Sequence, residues 1–108
     1  MSMHYNMKAI KNMLDELFDI KRLLSEGTVR FLYEKNNGEV REALGTRNID
    51  LLLNDEGSGF TENDKPKGTG KEYNNVCPYW DLEKKAWRSV RIDSVITILE
   101  FNNNEYGE

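Results

Sequence analysis

Three short β-type runs fill the C-terminal third of the chain, and together they restrict the fold most strongly. Residues 75–82 are apolar and aromatic and end at a charged turn at 83–85. Residues 86–92 mix apolar with basic side chains, whereas residues 95–99 are β-branched and apolar. Short runs of this composition, bounded by turn residues, are typical of antiparallel strands. The predicted strands are 73–82, 86–92 and 95–101.

A second hairpin is predicted nearer the N-terminus. Residues 28–35 alternate between two faces, with Val29 and Phe31 on the same side. The Asn-Asn-Gly run at 36–38 predicts a tight turn, because asparagine and glycine both tolerate positive φ. Residues 39–46 then return as the second strand of this hairpin.

An amphipathic helix is predicted over residues 6–25. Asn6 can cap its start, and Gly27 follows its end, where a left-handed residue is favourable. We predict that this helix, within an N-terminal segment 1–27, packs on the strands, and packing on a partner subunit remains the alternative. Its main face carries Met7, Ile10, Leu14, Leu17, Lys21 and Leu24, at three- and four-residue steps.

A hydrophilic insertion separates the two hairpins at residues 54–72. It contains four glycines, one proline and a single aromatic residue, Phe60. This composition predicts a flexible loop, whose replacement would cost little stability. Just before it, residues 49–53 predict a helical turn capped by Asn48, with a strand as the alternative. Residues 102–108 predict a frayed tail.

These elements predict one mainly β domain. We expect a small SH3/Sm-like barrel of five antiparallel strands over residues 28–101, preceded by an N-terminal α-helix. A length of 108 residues suits one such domain and not two. The single cysteine, Cys77, excludes an intramolecular disulfide and lies in an apolar run, which favours a core position.

Three runs of the chain resemble a known family. Residues 29–46, 65–72 and 79–98, in this order, are similar to the small WYL-like family with an Sm-like SH3 β-barrel, which is common in phages and gut bacteria. The Trp-Tyr-Leu run that names the larger WYL domains corresponds here to the permuted run Tyr-Trp-Asp-Leu at 79–82. The resemblance implies the barrel fold but no settled activity. The larger relatives are ligand-sensing modules of transcriptional and defence regulators, and some bind nucleotides or single-stranded nucleic acid.

Catalytic and metal-binding patterns are missing from the sequence, so we predict a non-enzymatic protein without cofactors or metals. The lone His4 has no nucleophile near it. Residues 68–71 partly match a phosphate-binding loop, but Lys65 stands where its first glycine belongs and Glu72 where Ser or Thr belongs. No apolar run approaches the ~18 residues of a membrane span, and the expected location is the cytoplasm.

The predicted binding surface centres on the strand at 86–92. If Val90 faces the core, then Trp87 and Arg91 face outward, where Trp can stack on a nucleobase and Arg can contact a phosphate. In the alternative, the long loop or the helix covers Trp87 and a carboxylate pairs with Arg91. A slip of one residue would turn the other face outward. The candidate ligand-binding residues are Trp87, Arg91, Arg30, Lys65, Lys67 and Lys71, and the alternative face carries Tyr79, Asp81 and Arg88.

The charge distribution limits the partners of this protein. The net charge is −4 and no segment is strongly basic, so a cationic surface must be assembled by folding. We predict a binding module for a nucleic acid or a nucleotide-type anionic ligand. The alternative is a phage-encoded module that binds a host protein, such as a defence protein, or captures a nucleotide signal, and homo-oligomerisation is a further expectation. Clustered cations would favour the anionic ligand, whereas scattered cations and an exposed apolar patch would favour a protein partner.

Overall fold

The computed structural model describes residues 19–66 and 75–103 of the chain. None of the helices in these two ranges is long and apolar enough to cross a membrane. The helices are α1 (Ile20–Glu26) and α2 (Ile49–Asn54), the strands are β1 (Thr28–Glu34), β2 (Val40–Thr46), β3 (Val76–Asp81), β4 (Ala86–Arg91) and β5 (Val95–Asn102), and short 3-10 turns span Glu56–Ser58, Glu62–Asp64 and Ile92–Ser94.

The five strands form one antiparallel sheet in the order β4-β3-β2-β1-β5. Strand β1 pairs with β2 on one side and with β5 on the other, whereas β2 meets β3 only through the pairs Gly45–Asp81 and Thr46–Trp80. The Ile92–Ser94 turn leads from β4 to β5, which are the two outermost strands of the sheet. The prediction of a mainly β fold with five antiparallel strands is therefore confirmed.

One face of the sheet and helix α1 enclose the larger core, which we call the inner core. Along β1, Val29 and Phe31 point into it, as their alternation predicts. Burial of large apolar side chains of this kind is the main favourable contribution to folding, at roughly 25 cal/mol for each Å² removed from water. The buried residues of the inner core are Ile20, Leu23, Leu24, Val29, Phe31, Ala43, Cys77, Tyr79 and Val90.

Helix α1 begins later than the helical pattern of the sequence predicts. Asp19 has an extended backbone, with φ −67° and ψ 103°, and its carboxylate accepts a hydrogen bond from the N–H of Lys21 at 3.1 Å. An aspartate in this conformation is an N-cap, so a helix starts at Ile20 and no single helix runs through residues 6–25. The predicted cap Asn6 and the positions up to 18 lie outside the described residues.

Gly27 ends α1, but its conformation differs from the prediction. Its φ of −171° and ψ of −156° are extended and not left-handed. The requirement for glycine comes from close packing, because a Cβ at this position would meet the carbonyl oxygen of Asn102 and lie 2.6 Å from the Cα of Asn103. The end of α1 therefore lies directly against the end of β5.

The first part of the insertion is packed, which corrects the prediction of a flexible loop over residues 54–72. Phe60 is only 7% exposed and belongs to a second core with Leu52 and Trp80. The Ser58 hydroxyl donates to the carbonyl of Leu52 at 2.8 Å, and the Trp80 indole N–H donates to the carbonyl of Ser58 at 2.9 Å. The high glycine content predicted flexibility, but one aromatic residue, Phe60, and one serine, Ser58, are enough to anchor the segment. Positions 67–72 lie outside the described residues.

The helical turn predicted at residues 49–53 is present as α2, and the alternative strand is not. Asn48 caps it, since its side-chain oxygen accepts a hydrogen bond from the N–H of Leu51 at 3.0 Å. Leu52 points into the second core, where Ile49 and Leu53 pack against it. Helix α2 thus supports the segment that carries Phe60.

Candidate binding surface on the β3–β4 hairpin

The register of the β3–β4 hairpin directs Trp87 and Arg91 away from the inner core. Val90 pairs with Cys77, and both are buried in that core. Because side chains alternate along a strand, Trp87, Ser89 and Arg91 lie on the opposite face of β4. This is the arrangement on which the predicted site depends. We call the outward-facing residues Trp87, Ser89 and Arg91 the Trp87 surface.

The turn between β3 and β4 fixes this register. The Asp81 carboxylate accepts hydrogen bonds from the N–H groups of Glu83 at 2.9 Å and Lys84 at 2.8 Å. Lys85 then adopts a left-handed conformation, with φ 55°, and its N–H donates to the carbonyl of Asp81 at 2.7 Å. Asp81 and Ala86 are thereby placed opposite each other. The side chain of Asp81 is buried and serves the turn, so it is not part of a ligand surface.

The Trp87 ring is held in one orientation but is not enclosed. Its edge-to-face neighbours are Trp80, with ring centres 5.7 Å apart, and Phe60, at 6.0 Å. Its indole N–H donates to the carbonyl of Asp64 at 2.8 Å. The residue nevertheless remains 36% exposed. The long loop covers part of Trp87, as the alternative interpretation expected, and leaves the rest of the side chain in solvent.

Arg91 carries the charge of the Trp87 surface. Its guanidinium Nε lies 3.9 Å from a carboxylate oxygen of Asp93, and both side chains are more than half exposed. An exposed ion pair at this distance contributes about 0–1 kcal/mol, so it holds the side chain only weakly. Arg91 can therefore exchange Asp93 for an anionic ligand at little cost.

Arg30, which we expected to support the same surface, is engaged elsewhere. Its guanidinium contacts carboxylates of Glu42 at 2.6 Å, Glu83 at 3.8 Å and Glu100 at 3.8 Å. The hydrogen bond to Glu42 and the charges of the three glutamates raise the pKa of Arg30 above its usual value. Three carboxylates outweigh one cation, so this region is acidic and does not attract phosphate.

The other described cations of the predicted site do not lie on the Trp87 face of β4. Lys65 pairs with Glu62 at 3.0 Å, and Arg88 lies on the opposite face of β4 from Arg91. Lys67 and Lys71 lie outside the described residues. Among the residues that the structure describes, only Arg91 shares the face of β4 with Trp87, whereas Lys65 directly follows Asp64, whose carbonyl accepts the Trp87 N–H, and is paired with Glu62.

Tyr79 cannot serve the alternative ligand face, because its side chain is in the inner core. Its ring packs edge-to-face on Phe31, with ring centres 5.5 Å apart, and covers Gly45. Burial raises the pKa of the Tyr79 phenol well above its ordinary value of 10.0. Together with the buried Asp81, this leaves Arg88 as the only exposed member of the predicted alternative face.

We expect the buried phenol to delay the titration of one tyrosine. The folded protein should retain the Tyr79 proton above pH 10, where the unfolded chain loses it, so this group's contribution to stability is complete below ~pH 10 and falls as the pH rises further. An ultraviolet titration of tyrosinate should show a late step, coupled to unfolding, which Tyr79→Phe removes. A late step that persists in Tyr79→Phe would assign the raised pKa to another tyrosine.

Two residues that shape the site were not predicted as part of it. Phe60 and Asp64 come from the insertion, and they fix the Trp87 ring through an aromatic contact and a main-chain carbonyl. The presence of a single aromatic residue in an otherwise hydrophilic segment was the available signal for Phe60. No sequence pattern identifies Asp64, because its backbone and not its side chain makes the contact to Trp87.

Comparison with known proteins agrees with this architecture. Residues 17–96 match the family described as WYL_2, Sm-like SH3 beta-barrel fold. The chain is also 33% identical, over 79 residues, to the "Uncharacterized 11.5 kDa protein in Gp31-cd intergenic region" of Enterobacteria phage T4, a match that covers 73% of this chain and 72% of the phage protein. No solved structure matches the chain significantly. The strands, their order and the matched residues together show that the chain belongs to the WYL_2 family of Sm-like SH3 β-barrels.

Proposed function

We propose that this protein is a non-enzymatic binding module whose Trp87 surface holds a nucleotide or a short single-stranded nucleic acid. The observation that supports the proposal most is the partly exposed indole of Trp87, whose orientation is fixed on the same strand face that carries an exposed guanidinium. One planar group of the ligand would stack on the indole, and one anionic group would meet Arg91. The descriptions of the phage relative and of the family name no ligand.

The geometry of the Trp87 surface suits stacking with little loss of freedom. A base stacked on an aromatic side chain contributes ~1–3 kcal/mol, and a ring that is already held in place loses less entropy on binding. Trp87 and Arg91 are four positions apart on a strand, which separates their Cα atoms by ~13 Å. On exchanging Asp93 for a ligand, the long Arg91 side chain can turn toward Trp87, which would shorten this gap to the span of one or two nucleotides. Ser89 lies between them and offers a hydroxyl group.

The scattered cations limit the ligand to a short one. A long nucleic acid is held mainly by many phosphate contacts, and the described part of the molecule provides one cation at this surface. The acidic surroundings of Arg30 would repel a chain that extended in that direction. We therefore expect one phosphate contact and a slope of about −0.7 in a plot of log affinity against log salt.

Substitution at the Trp87 surface tests the proposal directly. A thermal-shift screen over mononucleotides and oligonucleotides of two to six residues would first identify a ligand, since binding at ~100 times the dissociation constant adds ~2.7 kcal/mol to stability. Trp87→Ala and Arg91→Ala should then each weaken binding about tenfold, as measured by calorimetry. Trp87→Phe retains an aromatic ring and should lose less affinity than Trp87→Ala.

Arg41 provides a matched control for Arg91. Each arginine side chain is 53% exposed and pairs with a carboxylate two positions away in the sequence, Glu39 in the case of Arg41. Arg41→Ala removes the same charge from a different strand and should leave binding unchanged. An equal loss in Arg41→Ala would show that general charge and not the Trp87 surface holds the ligand. If no nucleotide or oligonucleotide raises the melting temperature, the proposed ligand class is wrong.

A protein partner is the second candidate, and the scattered cations favour it. Trp and Arg are also the residues that most often dominate protein–protein binding energy. Among the described residues β4 pairs only with β3, so its other edge can accept a strand from a host protein or from a second copy of this chain. In that case Trp87→Ala would weaken capture of the protein partner, while nucleotides would have no effect on the melting temperature.

A further inference from the structure

The outer edge of strand β4 presents main-chain groups that take no part in the sheet. Strand β4 pairs with β3, and the N–H of Ile92 continues this register by donating to the opposed carbonyl of Asn75 at 2.8 Å. Along an antiparallel pair, opposed residues alternate between hydrogen-bonded and non-hydrogen-bonded. Counted from Ile92, the non-hydrogen-bonded positions of β4 are those of Trp87, Ser89 and Arg91. Their N–H and C=O groups therefore point away from β3, to the open edge.

The position of Pro78 agrees with this assignment. Pro78 has no N–H, and it stands opposite Ser89, at a pair where none is needed. At the end of β4, the carbonyl of Arg91 accepts a hydrogen bond from the Ser94 hydroxyl at 2.7 Å. Among the described residues, no main-chain partner is found for the other outward-pointing groups of the strand. The β4 edge thus offers both donors and acceptors to an incoming strand.

The opposite edge of the sheet is less suited to pairing. Strand β5 forms that edge, and its register with β1 shifts at two places. Bulges of this kind bend a strand and interrupt the regular spacing of its free groups. The β3–β4 register, in contrast, runs without a shift from the pair Val76–Arg91 to the pair Asp81–Ala86. A further strand can therefore pair with β4 over its whole length.

Basic side chains line the β4 edge. Residues 84–91 contain no aspartate or glutamate, although the net charge of the protein is −4. Among the residues that the structure describes, Arg91 is the only cation of this run with an ion pair, to Asp93. Like charges opposed on two strands are destabilising, so β4 of a second copy is a poor partner and an acidic strand is the complementary one. The exposed cations of the run are Lys84, Lys85, Arg88 and Arg91.

The cations lie on both faces of β4, which favours an extended peptide over a nucleic acid. Arg88 shares the face that carries the buried Val90. Arg91 lies on the other face, with Trp87. A strand added in the plane of the sheet alternates its own side chains between the two faces, so its carboxylates can meet both arginines. A nucleic acid lying on the Trp87 face would reach Arg91 and not Arg88.

We propose that the β4 edge binds an extended acidic segment of another protein, which adds a strand to the sheet beside β4. The proposal specifies the protein-partner candidate given above and does not depend on nucleotide binding. Main-chain groups of Trp87 and Ser89 bond to the incoming strand, and its carboxylates pair with Arg88 and Arg91. An apolar side chain of the segment packs on the exposed part of the Trp87 ring, which supplies the large contact typical of a binding hot spot.

A synthetic peptide tests this strand addition. The probe is an extended peptide of about ten residues, built from valine, threonine and glutamate, with a glutamate at every third position so that both strand faces carry one. Fluorescence anisotropy of the labelled peptide gives its dissociation constant. The same peptide with lysine in place of each glutamate should bind at least about tenfold more weakly, and added salt should weaken binding of the acidic peptide.

Hydrogen exchange of the wild-type protein locates the bound peptide. At saturation the amides of Trp87 and Ser89 should exchange about tenfold more slowly than in the free protein, because they gain hydrogen bonds. The amide of Arg88 is the internal control. It already lies at a hydrogen-bonded position opposite Tyr79, so its exchange should not change.

Two substitutions separate the β4 edge from the Trp87 surface. Ser89→Pro removes an N–H that the fold does not use and should weaken peptide binding about tenfold, whereas Ser89→Ala keeps the N–H and should bind more tightly than the proline variant. Arg88→Gln should weaken peptide binding and leave nucleotide binding unchanged, so failure of one proposal is distinguishable from failure of the other. Arg41→Gln, on β2, is its matched control and should bind the peptide as the wild type does.

Arg88→Gln and the exchange measurement decide the question even if Ser89→Pro does not fold. Equal affinity for the acidic and the lysine peptide would overturn the proposal, as would absence of binding at about 1 mM acidic peptide. Protection of Trp87 and Ser89 that grows with protein concentration and needs no peptide would assign the edge to a second copy. Protection of these amides by an oligonucleotide and not by the peptide would assign it to a nucleic acid. Either assignment contradicts an acidic protein segment.

Discussion

Replacing Gly45 by alanine is expected to lower the free energy of unfolding by ~3 kcal/mol, because the added methyl group has no space. A Cβ at Gly45 would meet the buried ring of Tyr79 and would lie 2.8 Å from the carbonyl oxygen of Trp80. Neither neighbour can yield, since Tyr79 is packed in the inner core and the carbonyl belongs to β3. Thermal unfolding should show a decrease of about 13 °C in melting temperature.

Gly57 offers a control for the loss of a glycine in general. A Cβ there would meet only a carboxylate oxygen of Asp55, at an ordinary contact distance of 3.4 Å. Gly57→Ala should therefore change the melting temperature by no more than about 2 °C. If Gly45→Ala is equally mild, the close approach of β2 and β3 at the Gly45–Asp81 pair does not exist in solution.

Phe60→Ala is the second substitution with a large expected effect, again ~3 kcal/mol. Its ring lies at the centre of the second core, 4.9 Å from Trp80 and 6.0 Å from Trp87 between ring centres. Removing the ring leaves a cavity and also releases the segment that holds Trp87. We expect both a lower melting temperature and a red shift of tryptophan fluorescence, because the two indoles gain contact with water.

Asn63→Ala is the control for Phe60→Ala within the same segment. Its side chain is exposed, and its replacement should leave stability within ~0.5 kcal/mol of the wild type. Chemical denaturation of both variants gives the comparison. A cost for Phe60→Ala as small as that for Asn63→Ala would mean that the insertion is dispensable, as its glycine content had suggested.

The elements that the sequence predicted well depend on contacts between near neighbours. The alternation of Val29 and Phe31 predicts the face of β1 correctly, and the Asn-Asn-Gly turn appears with Gly38 at φ 89°. The hairpin at the C-terminal end has its predicted strands for the same reason. In each case the signal lies within a few residues, where side-chain periodicity and turn geometry decide the structure.

The parts that the sequence did not predict depend on residues far apart in the chain. Arg30 faces Glu42, Glu83 and Glu100, which come from β2, the second hairpin turn and β5. No spacing rule brings such groups together before the fold is known. The contact between Trp87 and Phe60 likewise joins residues that are far apart in the sequence. The prediction of where α1 starts was wrong for a different reason. An aspartate such as Asp19 fits a helical pattern as well as it fits an N-cap.

The pairing of β1 with both β2 and β5 has a consequence for the order of folding. Strand β2 follows β1 after a short turn, whereas the contact between Thr28 on β1 and Asn102 on β5 spans 74 positions of the sequence. Closing the longer loop costs about 2 kcal/mol more in chain entropy than closing the hairpin. During synthesis, therefore, the first hairpin forms early and one edge of β1 waits for β5 to leave the ribosome. In that interval the unpaired edge can accept a foreign strand, which makes the nascent chain more prone to aggregation than the finished one.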